Sequence, residues 1–282
     1  MKLARFDAAN GAQLGVVEGE RIVALRDLGI AANDMIELIE AGPGQLQQIA
    51  ERLAQAGEGA SLSSVRLLAP LRPRKFLAIG MNYQRHADEA RQLGITVPDN
   101  QLWFNKQTSC VSGPFDPIEP GVTEKLDYEV ELGLVIGKPA KSVSRDKAFD
   151  HVFGYLIVND VSARDWQFHS STMTMGKSFD THGPIGPWVV TADEIPDPEA
   201  LGVRCFVNGE KRQDSNTRDF IHGIAAQIEY LSTAFTLETG DIISTGTPEG
   251  VGVAMQPPKF LQSGDVVRCE IDLIGAIENK VA

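Results

Sequence analysis

The sequence predicts an α+β protein in which strands outnumber helices, with a small separate unit at the N-terminus. Three observations predict this. After residue 73 the chain breaks into many short β-patterned runs punctuated by Gly, Pro, Asn and Asp. Helical periodicity in that part is confined to residues 86–93, 145–149 and 220–234. These helices do not alternate regularly with the strands, which argues against a doubly wound parallel sheet.

Taken in order, residues 15–25 read as two short strands around a Gly-containing turn. Residues 34–56 then carry Ile36, Leu38, Ile39, Leu46, Ile49 and Leu53 at helical spacing, interrupted by Gly42-Pro43-Gly44. Ala69-Pro70-Leu71-Arg72-Pro73 reads as a linker. The expected division is therefore a small N-terminal α/β appendage over residues 1–70, serving structure or assembly, and a chemistry-bearing unit over residues 71–282. Strands are expected at 75–80, 126–136, 152–159, 186–191, 203–208, 241–245 and 265–273, and Asn208-Gly209 signals a two-residue hairpin.

Bulk properties narrow the function. The 282 residues are 43% hydrophobic and 23% charged, as in an ordinary globular protein. A net charge of −12 argues against nucleic acid, whose phosphates need a basic footprint. Small anionic substrates stay open, because a bound cation reverses the sign of a pocket locally. The three cysteines, Cys110, Cys205 and Cys269, show no Cys-x-x-Cys spacing, so neither a zinc site nor a disulfide framework is expected. The N-terminus has no apolar signal region and no run reaches membrane-spanning length, which makes no membrane and a cytoplasmic location the expectation.

The chemistry is sought first in Asp127-Tyr128-Glu129-Val130-Glu131-Leu132-Gly133. In a strand, residues two apart share a face, so Glu129 and Glu131 project together from an otherwise apolar run. Asp160 closes a second apolar run, 155–159. Three converging acids most simply hold a hard divalent cation, Mg²⁺ or Mn²⁺. Taken alone, Glu-x-Glu is more simply an edge strand with its acids in water.

Other groups carry paired readings. In a helix, His86 and Glu89 lie three apart and touch, which suits a general base working through water; an incidental pair on a solvated helix is the plainer reading. Residues 93–100 are flexible enough in composition to form a lid. Arg164 either fixes a substrate carboxylate or pairs with a neighbouring acid. Gln167 can orient a water or a keto oxygen. Lys177 and Lys106 either stabilise enolate charge or stand in solvent, with solvent preferred for Lys106. The Gly-rich run 240–252 reads as a cradle for a small carboxylate with Thr247 as donor, or as a plain turn.

Together these segments resemble the fumarylacetoacetate hydrolase superfamily. The matching residues are Gly80-Met81-Asn82-Tyr83 with His86 and Glu89, residues 127–133, 160–167, 176–180 with Gly183-Pro184, and 245–252, all in the family's order. The resemblance implies a mixed β-sandwich or roll, assembled as a homodimer. It implies Mg²⁺ or Mn²⁺ on Glu129, Glu131 and Asp160, and a His86–Glu89 dyad on a lid helix. It places Lys177 and Gln167 near the reacting carbonyl, and Arg164, Thr247, Gly246 and Tyr83 on the substrate. Lys106-Gln107 departs from the Lys-Pro that the family often shows.

The implied activity is metal-dependent hydrolysis of the C–C bond of a 2,4-diketo acid such as an acylpyruvate, giving pyruvate and a carboxylic acid. Oxaloacetate decarboxylation and 2-hydroxy-dienoate isomerisation or hydration are the alternatives on the same site. The substrate in each case is a small anionic oxo acid. The walls that set acyl specificity are expected in the lid and around Trp103, Trp166 and residues 168–175.

Overall fold

The computed structural model describes residues 1–9, 11–92 and 94–282. Its architecture is α+β and is dominated by one twelve-stranded mixed sheet. The sheet order is Ala60–Ser61, Arg21–Ala24, Gly11–Glu18, Lys2–Ala8, Gly183–Thr191, Val152–Asn159, Val130–Ile136, Ile242–Ser244, Phe76–Gly80 and Leu102–Lys106. Arg66–Leu68 pairs with the first strand and Val111–Ser112 with Gly183–Thr191. Lys2 lies opposite Val190, so the N-terminal strands extend the sheet that carries the rest of the chain.

A second, four-stranded antiparallel sheet is ordered Glu210–Asn216, Gly202–Val207, Val266–Ile271, Gly275–Lys280. Its hairpin turns at Asn208 (φ 52°) and Gly209 (φ 80°), both left-handed, as a tight turn matched to strand twist requires. Val203, Cys205, Val267 and Ile277 pack from this sheet onto Leu132, Leu134 and Ile157 of the large one. The helices Met35–Glu40 and Pro43–Leu53 cover the opposite face, where Leu38 and Ile49 meet Val135, Leu156 and Val158. Alternation along a strand thus feeds two cores from one sheet.

The expected strand over 126–136 is interrupted. Leu126–Asp127 pairs with Ser162–Ala163, and the ladder resumes only at Val130–Ile136. At the break, side chains take over the backbone amides: Glu129 N–H donates to Asn159 Oδ1 (3.1 Å) and Val130 N–H to Gln213 Oε1 (3.1 Å). The helix expected from residue 220 starts at Ile224, and residues 145–151 form a 3₁₀ turn. The lid helix is Gln84–Gln92; Leu93, placed by the sequence reading at the end of that helix and the start of the lid, lies outside the described residues.

One contact positions the site. Ile242–Ser244 and Phe76–Gly80 are parallel neighbours, so the chain leaves both strands at the same edge of the sheet. The lid helix follows one strand and the Gly-rich loop follows the other. Asn82 ties the two exits, donating to Thr245 O (2.8 Å) and His222 O (3.1 Å) and accepting from His222 N–H (2.8 Å).

A test of the sheet packing follows from Gly154, where an added Cβ would stand 2.3 Å from the Val190 carbonyl oxygen. Gly154→Ala is expected to lower unfolding free energy by about 1–3 kcal/mol in urea. Gly44→Ala, on a helix where the added carbon meets nothing within 4 Å, is expected to hold or raise it.

Candidate active site

The acids converge because of strand register. Val130 lies opposite Asn159 and Glu131 opposite Val158. One step earlier, Asp160 N–H donates to the Glu129 carbonyl at 2.8 Å, which sets those two residues opposite each other. Glu131 is two residues along the same face. One carboxylate oxygen from each of Glu129, Glu131 and Asp160 falls within 4.8 Å of the others, and all three residues are buried.

Three cations surround this cluster. Lys177 Nζ reaches Glu129 Oε2 (2.6 Å) and Asp160 Oδ2 (2.8 Å). Lys106 Nζ holds the other Asp160 oxygen at 2.5 Å and also donates to the Lys177 carbonyl. Arg164 bridges Asp127 (2.8 Å) and Glu129 (2.7 Å) and donates from its remaining nitrogen to Gln167 Oε1 (3.0 Å). Both lysines are 2% exposed, so the solvent reading preferred for Lys106 is overturned. Its place on the strand carries the reason: Lys106 is in phase with Phe104, and that face of Leu102–Lys106 is buried. For Arg164, acid pairing is the reading that the geometry carries.

Four buried carboxylates thus face three cations. Glu131 is the one left over: among the described residues no basic group lies within ion-pair distance of it. It accepts instead from Ser244 Oγ (2.6 Å) and Gly246 N–H (2.9 Å). Burial disfavours a charged Glu129, but Lys177, Arg164 and His86 outweigh burial and hold its carboxyl well below the usual range. Glu131 moves the other way. Burial, then the like charges of Asp160 and Glu129, push its carboxyl well above that range. Burial also works against the charge of Lys177 and Arg164, yet the neighbouring acids keep both cationic.

This arrangement fits a hard divalent cation. The donors are oxygens, they converge, and the surplus negative charge sits on the one acid without a cationic partner.

Facing the acids is the dyad. His86 Nδ1 lies 3.2 Å from Glu89 Oε2, and the other Glu89 oxygen accepts from Gly250 N–H at 2.9 Å. Arg85 Nη1 pairs with Glu249 at 3.1 Å, a second tie between lid helix and Gly-rich loop. Thr247 Oγ1 donates to Val130 O (3.0 Å) and accepts from Gln213 Nε2 (2.8 Å), so its hydroxyl braces the acid-bearing strand. The Gly246 amide is spent on Glu131. Tyr83 is buried edge-on against Phe220, and among the described residues its hydroxyl has no hydrogen-bond partner.

A cavity of about 540 Å³ joins these groups, with His86, Glu89, Glu129, Glu131, Lys177 and Thr247 among its lining residues. Arg164 and Gln167 also reach it. Tyr83 and Gly246 are not among its lining residues; of the expected wall, Ile95 and Thr96 of the lid segment and Phe168 and Met173 line it, whereas Trp103 and Trp166 do not. Trp103 packs against the main core, and Trp166 against His169 and Phe179.

Because the raised Glu131 carboxyl must lose its proton to bind a cation, binding releases a proton. Without a cation, the stability carried by neutral Glu131 is full below the ordinary carboxyl pKa and is lost as pH rises through the raised value. The rise in Tm caused by Mg²⁺ is therefore expected to be larger at about pH 8 than at about pH 5.5, and Glu131→Gln to abolish most of it; differential scanning calorimetry across that range checks both.

Known proteins are similar to this chain along its whole length. The family model described as fumarylacetoacetate (FAA) hydrolase C-terminal matches residues 75–282, and one described as Rv2993c-like, N-terminal matches residues 1–70. An oxaloacetate tautomerase, fahd2, from Xenopus laevis is 46% identical over 88% of this chain and 78% of its own length. The crystal structure of maleylpyruvate hydrolase from Sphingobium sp. SYK-6 with manganese(II) and pyruvate matches at 35% identity and TM-score 0.83, over 100% of this chain and 99% of that one. A 2-hydroxyhepta-2,4-diene-1,7-dioate isomerase from Mycobacterium marinum matches at 33% identity and TM-score 0.77, over 100% and 98%. By the family match over residues 75–282, this chain belongs to the fumarylacetoacetate hydrolase family.

Proposed function

We propose that the protein hydrolyses the C–C bond of a 2,4-diketo acid of acylpyruvate type, giving pyruvate and a carboxylic acid, with Mg²⁺ or Mn²⁺ held by Glu129, Glu131 and Asp160. The observation that carries this reading is the His86–Glu89 pair, anchored through Gly250 and sharing one cavity with Glu129 and Glu131 of the acid cluster. When bound, the cation supplies electrophilic pull on the oxygens of the oxo acid.

The chain's own groups do the rest. Glu89 accepts a hydrogen bond from His86 Nδ1–H, which leaves Nε2 to take a proton from water. The water attacks the distal carbonyl, the bond between that carbon and the pyruvate methylene breaks, and His86 returns the proton to the leaving carbon. Lys177 stays protonated, so it steadies negative charge on the departing enolate and does not act as a base. Gln167 has its oxygen on Arg164 and only the Met173 sulfur, 3.4 Å away, near its amide nitrogen. That N–H is available to a substrate oxygen. Arg164 and Thr247 position the acids and their strand, and Gly246 fixes Glu131.

A second reading has a specific observation in its favour, the 46% identity to an oxaloacetate tautomerase. The same dyad would move a proton between carbon and oxygen of oxaloacetate without activating water. Decarboxylation of oxaloacetate and isomerisation of a hydroxy-dienoate draw on the same cluster of acids and cations. We also propose a cytoplasmic homodimer. Exposed Phe115, Val122, Phe168 and Leu273 support an interface, the net charge of −12 speaks against nucleic acid, and among the described residues no helix is long and apolar enough to cross a membrane.

Acylpyruvates and oxaloacetate assayed side by side, with products identified by NMR, separate these reactions. His86→Ala and Glu131→Ala are each expected to lower acylpyruvate hydrolysis by at least about 10²-fold with the fold intact by circular dichroism. Full hydrolysis by His86→Ala would remove the assigned base. Oxaloacetate enol–keto exchange without any acylpyruvate cleavage would favour the second reading.

A further inference from the structure

We propose that the far part of the cavity selects an oxo acid with an uncharged, apolar tail and rejects one of equal length that ends in a second carboxylate. The inference rests on the oxo-acid reading above and adds what that reading leaves open, the chemistry of the substrate's other end.

The cavity lining is of two kinds. The charged floor belongs to the cluster of acids and cations already described. The apolar wall includes Ile79 and Leu102 from adjacent strands, Ile95 from the segment after the lid helix, and Val253, Pro258 and Phe260 from the stretch after the Gly-rich loop. None of these six side chains carries a polar atom. The enclosed volume, about 540 Å³, lies in the range that holds drug-sized ligands and leaves most of the space empty around a four-carbon acid.

Energetics favour one kind of occupant. A methylene moved from water onto such a wall gains roughly fourfold in affinity, the equivalent of about 0.8 kcal/mol. A carboxylate moved there loses its water and finds no partner. Beyond the floor, the cation among the described lining residues is Lys125, which is exposed at the rim. Solvent screens it, and its flexible stem gives it no fixed position toward the apolar wall.

The test uses unreactive mimics of the oxo-acid head on the Mg²⁺-loaded, full-length protein. Dissociation constants of oxamate, N-propyl oxamate, N-hexyl oxamate and N-(5-carboxypentyl) oxamate are measured by calorimetry. Affinity is expected to rise about two- to fourfold per methylene along the alkyl series, with the carboxylated ligand at least about tenfold weaker than N-hexyl oxamate. Leu102→Arg is expected to narrow or reverse that gap by giving the second carboxylate a partner. If that variant fails to fold, the four ligands on the unaltered protein still decide. A flat alkyl series overturns the proposal, as does a carboxylated ligand bound as tightly as the alkyl one, the result expected if Lys125 captured it. In both cases oxamate binding leaves the head-group reading standing. Failure of oxamate itself to bind removes that reading, and this inference with it.

Discussion

The surplus carboxylate at Glu131 is the constraint around which the rest of this structure is arranged. Asp127, Glu129 and Asp160 each have an ammonium or guanidinium against them, and Glu131 has only a hydroxyl and an amide. An unpaired buried charge is costly enough that the protein must shed it, by protonation or by a bound cation. Everything near Glu131 restricts it to that choice. Ser244 and Gly246 fix one oxygen, Thr247 braces the strand beneath it, and the two lysines are already committed to Asp160. Filling the gap with another lysine would have produced a neutral, inert core; leaving it open makes a site.

The parallel pair Phe76–Gly80 and Ile242–Ser244 converts that local imbalance into a usable cleft. In a sheet otherwise built mostly of antiparallel neighbours, one parallel contact sends two exits to the same edge, and crevices at such edges are where ligands enter. The Gly-rich loop can then serve both partners: Gly246 donates down to Glu131, and Gly250 donates outward to Glu89. Gly250 has φ +98°, and a Cβ there would sit 2.0 Å from the Arg212 carbonyl oxygen. The turn therefore needs glycine for its conformation and its close approach, and through it Glu89 and His86 on the helix Gln84–Gln92 are indexed to the acids on the sheet.

Much of this was legible in the sequence, for a physical reason. Strand alternation is a short-range rule, so Glu129 and Glu131 on one face, with Asp160 ending the next apolar run, could be read directly, as could the contact of His86 with Glu89. The α+β class and most strands followed from the same periodicity. What escaped depends on long-range packing. The interruption at 128–129 arises because Asn159 and Gln213 claim backbone amides, and no local pattern announces that. Lys106 carried a signal, its phase with Phe104, but a terminal lysine on a strand is ordinarily in water. Gly246 looked like a substrate donor because loop amides face outward in general; here the nearest anion is the protein's own. The apolar wall was legible in part: the lid segment and residues 168–175 were expected to line it, and Ile95, Phe168 and Met173 do, but only the fold shows that Ile79, Leu102 and Phe260 border the same space.

The division between floor and wall bears on why one fold carries several reactions. The floor is over-determined: each acid is held by two or more partners and has little freedom to adapt to a new substrate. Its common product is therefore an oxo acid with negative charge drawn off its oxygens, whichever bond changes next. On the proposed reading, whether His86 meets a water or a carbon depends on which substrate the cavity accepts. Differences in wall residues can thus redirect the outcome without touching the charged cluster, and hydrolase, tautomerase and isomerase names among relatives that match most of this chain accord with that freedom.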